Sequence, residues 1–354
     1  MKRWAPFLFS YGFATAATAG VLAGGPWIVA AFASAFVLHP ALDRLLGRQE
    51  GEAPLEGSRI FDVMVWLAPL WLTGALAIIL HRVTTAPYAG LEFWAAAHAT
   101  GILSAGIGIN VGHELIHRRR AWERGLGVWL YALVNYSHFR IEHVFGHHSN
   151  VAIPEDPATA RRRESVYAFW LRSVLGQLAS ATRYENRRLA GLPWMERALR
   201  HRMIHYALIA TALSAWVGLA FGGWGVAFFW AQGIVAALFL ETINYVEHYG
   251  LTRARRENGR YEPVTPMHSW DTDYRLTNWT LFNLGKHARH HASPSIPYHR
   301  LTATPGAPRL PFGYSTMALM AFFPPLYMKV MERELAAREA PVPVAPPAPF
   351  VVGA

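Results

Sequence analysis

The sequence predicts an all-α integral membrane protein: a bundle of six transmembrane helices with a cytosolic, histidine-rich cap. Three observations predict it. Of 354 residues, 53% are hydrophobic and 16% charged, where a soluble domain carries roughly 25% charged residues. Too few charges remain to cover a water-facing surface. Six apolar runs reach the roughly 20 residues that a spanning helix needs. The 17 histidines concentrate in clusters, several directly at the ends of those runs.

The runs are 5–23, 25–42, 60–80, 88–112, 203–222 and 224–243. Gly24, Gly25 and Pro26 separate the first two, and Gly222-Gly223 the last two, which predicts tight turns between antiparallel spans. Met1-Lys2-Arg3 before an apolar run could open a signal peptide. Because Pro26-Trp27 starts a second apolar helix at once, a hairpin of two spans is expected instead. Segment 311–330 is apolar but broken by Pro324-Pro325 and followed by Lys329, so it is expected at the interface or buried in protein. Residues 1–340 read as a single domain, and the Pro/Ala-rich 341–354 as an extended or disordered tail.

Charge orients the bundle. The 33 basic residues, nearly all arginine, fall in the N-terminus, in 43–59, in 113–202 and in 244–354, with Arg82 alone in the loop after the third span. Positive residues collect on the cytoplasmic side of spans. Both termini and the two long polar segments are therefore expected in the cytosol. The runs Arg118-Arg119-Arg120 and Arg161-Arg162-Arg163 lack the aromatic platform of a nucleic-acid site, and no nucleic-acid partner is expected.

Nine histidines form four clusters, all in those two segments: His113 and His117; His143, His147 and His148; His248; and His287, His290 and His291. An i, i+4 pair on a helix projects two imidazoles from one face, close enough for one metal. A lone pair of this kind is commonly just interfacial polarity. Two adjacent His-His pairs, each preceded by another His, have no packing or solubility rationale. Nine ligands exceed one ion's capacity, which points to two. Imidazole alone does not choose among iron, copper, zinc and nickel. The chain has no cysteine, which excludes disulfides and thiolate-ligated zinc or iron–sulfur centres. Of the other eight histidines, all but His138 and His268, among them His39, His81 and His98, are read as ordinary packing or surface residues. A membrane metal transporter would need polar groups along its spans; His98, Glu92 and Glu241 are near ends or isolated.

The pattern HxxxH, HxxxHH, HxxHH resembles that of the membrane di-iron desaturases and hydroxylases. Asn244-Tyr245-Val246-Glu247-His248-Tyr249-Gly250-Leu251, the run Glu142 to Pro157, and His268-Ser269-Trp270 narrow the resemblance to the integral-membrane alkane monooxygenases, over residues 60–305. The resemblance implies a bacterial inner-membrane enzyme with two irons held by His113, His117, His143, His147, His148, His248, His287, His290 and His291. It implies insertion of one oxygen atom of O2 at the terminal methyl of an n-alkane, with electrons from rubredoxin and an NAD(P)H-dependent reductase. Hydroxylation of alkylaromatic methyls, or acyl-lipid desaturation or hydroxylation, are the alternatives for the same site. Val144-Phe145 and Lys286 depart from the pattern without touching a ligand. With no cysteine, the chain cannot carry its own rubredoxin, so a separate acidic carrier is expected to dock on Arg118, Arg119, Arg120, Arg161, Arg162 or Arg163. Glu114, Glu142, Glu247, His138 and His268 are candidates to orient the imidazoles.

Overall fold

The computed structural model describes residues 3–49, 54–57 and 59–339; the 341–354 tail lies outside them. Among the described residues the chain is helical, with isolated β-bridges and no strand. Four helical stretches are long and apolar enough to cross a membrane: α1 (Ala5–Ala23), α2 (Pro26–Leu46), α3 (Arg59–Thr85) and a long element, α9 (Arg202–His248). Between them lie α4 (90–116), α5 (Ala121–Ala132), α6 (139–150), α7 (Val166–Arg188) and α8 (Trp194–Arg200). After α9 come α10 (Arg275–Thr280), α11 (His287–Ala292), α12 (Tyr314–Ala321) and α13 (Pro324–Glu339).

Both predicted glycine turns form. At Gly24 the backbone takes φ 76° and at Gly222 φ 69°, a region costly for any residue with a Cβ. The pairing across α9 shows what Gly222 does. Trp230 Nε1 donates to Ser214 Oγ at 3.0 Å, and Gly218 lies against Val226. Residues equidistant from Gly222 meet, so the two halves of α9 run antiparallel. A spanning α4 does not emerge as one regular helix: Gly90–Leu103 gives way to a π-helical turn at Ser104–Ile109 before Asn110–Ile116.

The main core gathers Val21, Val65, Leu72, Ile79, Ala96, Val111 and Phe228 from α1, α3, α4 and α9. Outward, Leu70, Ile78, Leu208 and Leu219 are exposed, the apolar belt expected where lipid rather than water is the neighbour. Segment 311–330 is partly buried in protein: Tyr314, Met317 and Tyr327 pack with Tyr245, Tyr249 and Trp270 in a second core, while Phe323 and Leu326 remain exposed. Glu241 is used as a structural node. Its carboxyl accepts from Tyr136 Oη (3.0 Å), Ser173 Oγ (2.6 Å) and Gln177 Nε2 (2.8 Å), so a buried group that would be costly alone is satisfied and clamps α9 to α7.

Candidate metal centre

The four histidine clusters converge from different elements. His113 lies in the last turn of α4 and His117 caps its end, α6 carries His143, His147 and His148, α9 ends in His248, and α11 carries His287, His290 and His291. They resolve into two groups whose donor atoms lie within 4.8 Å of one another: His113, His117, His143, His148 and His290; and His147, His248, His287 and His291.

The division departs from simple i, i+4 pairing. Residues Glu142–His147 form a π-helical turn, bonded i to i+5. His143 consequently meets His148, Nε2 to Nε2 at 3.0 Å, while His147 turns to the other group and lies 3.1 Å from His248 Nε2. His287 and His291 stay paired at 3.0 Å, and His290 joins His148 at 3.2 Å.

These contacts do not work as hydrogen bonds. A neutral imidazole has one N–H, yet His248 Nε2 faces both His147 and His287 at 3.1 Å. The buried Nε2 atoms of His113 and His117 have no partner at all. Two nitrogens bound cis to one ion at about 2.1 Å would themselves lie about 3.0 Å apart, the separation seen in each group. Burial first, then the neighbouring rings, hold His143, His148, His287, His290 and His291 well below the usual imidazole value. The rings are thus neutral at pH 7, the form that binds metal. The donor set fits two divalent transition-metal ions and suits no hard, oxygen-preferring cation.

One ring is fixed from behind. Asp156 Oδ2 accepts from His147 Nδ1 at 2.9 Å, with both side chains buried. Thr159 Oγ1 donates to the same oxygen at 2.6 Å and Ala158 N–H to Oδ1 at 3.1 Å. Burial alone would raise this carboxyl, but His147 and Thr159 outweigh it and hold it below the ordinary value. Asp156 was not singled out in the sequence; its only sign there is an acidic residue in the proline-flanked turn Pro154–Pro157.

A cavity of about 150 Å³ runs from the histidines into the bundle. His113, His143, His287 and Glu247 line one end. Ala14, Ala17, Ala31 and Ala99 line it toward the Gly24 turn, and Phe139, which stacks on His143 at 4.8 Å, forms part of the wall.

Residues 89–305 match the profile of a family described as fatty acid desaturase. Alkane 1-monooxygenase 2 of Pseudomonas aeruginosa is 37% identical over 325 residues, covering 88% of this chain and 84% of that protein. The chain belongs to the alkane 1-monooxygenase family. Alkane 1-monooxygenase of Ectopseudomonas oleovorans is 36% identical over 83% of this chain and 74% of its own. A more distant relative is the hydroxylase component of a xylene/toluene monooxygenase of Pseudomonas putida, at 26% identity over 63% of this chain and 59% of that protein.

In this member of the family, the residues expected to orient imidazoles fare unequally. Glu247 reaches the site, but its Oε2 lies 3.2 Å from His287 Nε2, the nitrogen facing the group, while Oε1 accepts from Tyr314 Oη at 2.7 Å. Glu114 turns away to Arg118 at 2.8 Å, and Arg118 also holds Asp62 at 2.8 Å. Glu142 is buried with no partner on either oxygen; burial, then Asp156 and Glu241, raise its carboxyl well above the usual value. His138 packs on Tyr136 with its Nε2 unpartnered. His268 is occupied by Glu262 (3.2 Å) and the Thr265 N–H (3.0 Å), capping a short turn. Among the arginines, Arg118 is part-buried in its ion pairs and Arg162 is held by Glu332 and Glu339. Arg119, Arg120, Arg161 and Arg163 are exposed.

Proposed function

We propose that the protein is a membrane non-haem di-iron monooxygenase that hydroxylates the terminal methyl of n-alkanes to 1-alkanols with O2. The single observation that carries this reading is the junction of two imidazole groups with a long apolar cavity. The relatives named alkane 1-monooxygenase support the substrate class.

An unactivated methyl C–H is beyond side-chain acid–base chemistry, and two iron ions held by the nine histidines would supply the oxidant. The rest of the work falls to the chain. Neutral imidazoles hold the ions, and Asp156 fixes the His147 ring. An alkane offers no polar handle, so Phe139, Leu103, Ile107 and Leu281 on the cavity wall orient it end-on by shape and exclude water. Asn110, Asn244 and Glu247 add polar groups to the lining that the histidines share.

The same reading includes six spans. The reversal at Gly222 divides α9 into two, and α4 crosses with its π turn, which leaves both termini and the metal centre cytosolic at the bacterial inner membrane. Residues 1–340 form one domain. Electrons come from a separate rubredoxin, reduced by an NAD(P)H-dependent reductase, and the exposed Arg119, Arg120, Arg161 and Arg163 attract that acidic carrier.

Mass-spectrometric product analysis of cells fed alkanes from octane to hexadecane, and xylene alongside, tests the reading. Terminal alkanols are expected. Benzylic alcohols in their place would favour the alkylaromatic reading that the xylene/toluene relative represents, and unsaturated acyl lipids would favour a desaturase.

A further inference from the structure

The cavity is apolar along most of its length, yet three of the polar side chains lining it, His39 of α2, Thr280 of α10 and Ser315 of α12, are joined in one hydrogen-bonded chain. An alkane makes no use of such a chain. Its direction can be assigned bond by bond. Thr280 Oγ1 lies 2.7 Å from the Leu276 carbonyl four residues back, so its proton is committed there. It must then accept from His39 Nε2–H at 2.9 Å. The ring is neutral, because its two partners are hydroxyls and a buried cation without an anion is costly. Asp43, one turn on, is itself taken by the N–H and hydroxyl of Thr277. With Nε2 protonated, His39 Nδ1 accepts, and the Ser315 hydroxyl donates to it at 3.2 Å.

Ser315 thus lines the cavity with its proton spent and its oxygen lone pairs available. The notch is an acceptor, fixed from behind, in an apolar wall. It lines the same cavity as Tyr314, Glu247 and His287 without belonging to the histidine groups. We propose that Ser315, positioned by His39 and Thr280, receives the hydroxyl of a long-chain primary alcohol. Resting on the function proposed above, the alcohol is the newly formed product, held by its oxidised end as it leaves the metal centre.

The test compares 1-decanol with 1-methoxynonane, which has the same number of heavy atoms and no O–H to donate. Each is measured on the detergent-purified, iron-loaded protein in two ways: as an inhibitor of decane oxidation, and by the shift it produces in thermal unfolding. The wild-type protein should prefer the alcohol by about three- to tenfold, the range one neutral hydrogen bond supplies. Ser315→Ala should bring the ratio to one, and Ser315→Thr should restore it. An equal ratio in wild type and Ser315→Ala, or no preference in wild type, overturns the proposal. Absence of decane oxidation with the preference intact in the unfolding assay would instead overturn the proposed function and leave the alcohol site standing.

Discussion

Replacing Asp156 by Asn tests the metal centre where its geometry is most specific. The carboxylate touches none of the nitrogens that face one another within the two groups. It acts through His147 Nδ1 at 2.9 Å and is itself held by Thr159 and the Ala158 N–H. Asn keeps the shape and an acceptor oxygen but loses the charge that favours one tautomer and strengthens the ligand nitrogen. Removing such a partner lowers metal affinity about 10- to 100-fold, or about 1.4–2.7 kcal/mol. Ala would be a poorer probe, because three buried donors would be orphaned at about 1–3 kcal/mol each and unfolding would confound the result. Iron per chain by inductively coupled plasma mass spectrometry, together with the half-time of iron loss to a chelator, reads the effect. Asp43→Asn is the control. It too is a buried carboxylate, bonded to Thr277 and to none of the nine clustered histidines, and should cost stability without changing iron retention. Wild-type iron content and chelation kinetics in Asp156→Asn would refute the argument that this carboxylate holds a ligand in place.

Purified protein should carry about two irons per chain; His147→Ala, His248→Ala or His290→Ala should lower iron and abolish hydroxylation, whereas His39→Ala should retain the metal. A single zinc per chain with normal folding would refute the di-iron reading. Cysteines placed at Thr85 or Gly223 should react with an impermeant reagent outside the cell and those at Arg162 or Arg256 should not; labelling at Arg162 would overturn the cytosolic site. Ala17→Phe or Ala31→Leu, at the cavity end toward the Gly24 turn, should shift products toward shorter alkanols, since one methylene in an apolar pocket is worth about 10- to 200-fold in selectivity; an unchanged product ladder would place the cavity's end elsewhere. Hydroxylation with NADH should require added rubredoxin and reductase. It should also weaken with salt as screening shortens from about 8 Å to about 3 Å at 1 M. Charge reversal at Arg119 and Arg120 should raise the apparent KM for rubredoxin more than that for alkane, and turnover without any carrier would refute the scheme.

Apolar runs made the all-helical architecture and its four spanning-length helical stretches legible, because length and composition are what a bilayer selects. The glycine turns were legible as well, since Gly24 and Gly222 mark backbone angles that other residues resist. That these nine histidines come together could be read from clustering, but their division into two groups could not. Spacing was interpreted with α-helical periodicity, and a π turn at Glu142–His147 sets His143 with His148 and sends His147 across. Nor does charge reveal who is already paired. Arg118 and Arg162 look identical in sequence to Arg119 and Arg161, yet Asp62, Glu114, Glu332 and Glu339 engage the first two. Asp156 escaped notice because its partner is nine residues away across an irregular turn, where no helical or strand period applies.

The interleaving of the two groups has a consequence for assembly of the centre. His147 and His148 are neighbours in the chain yet serve different groups, as do His290 and His291. Whichever group is filled first immobilises backbone that the other also needs, and the entropic cost of ordering 143–148 and 287–291 is met once rather than twice. On the di-iron reading proposed above, a second ion would enter a prepared site and bind more tightly than the first. Loading would then be cooperative through shared rigidity, without any contact between the ions. Chains holding a single ion should be scarce at every iron concentration, and damage to one group should empty both.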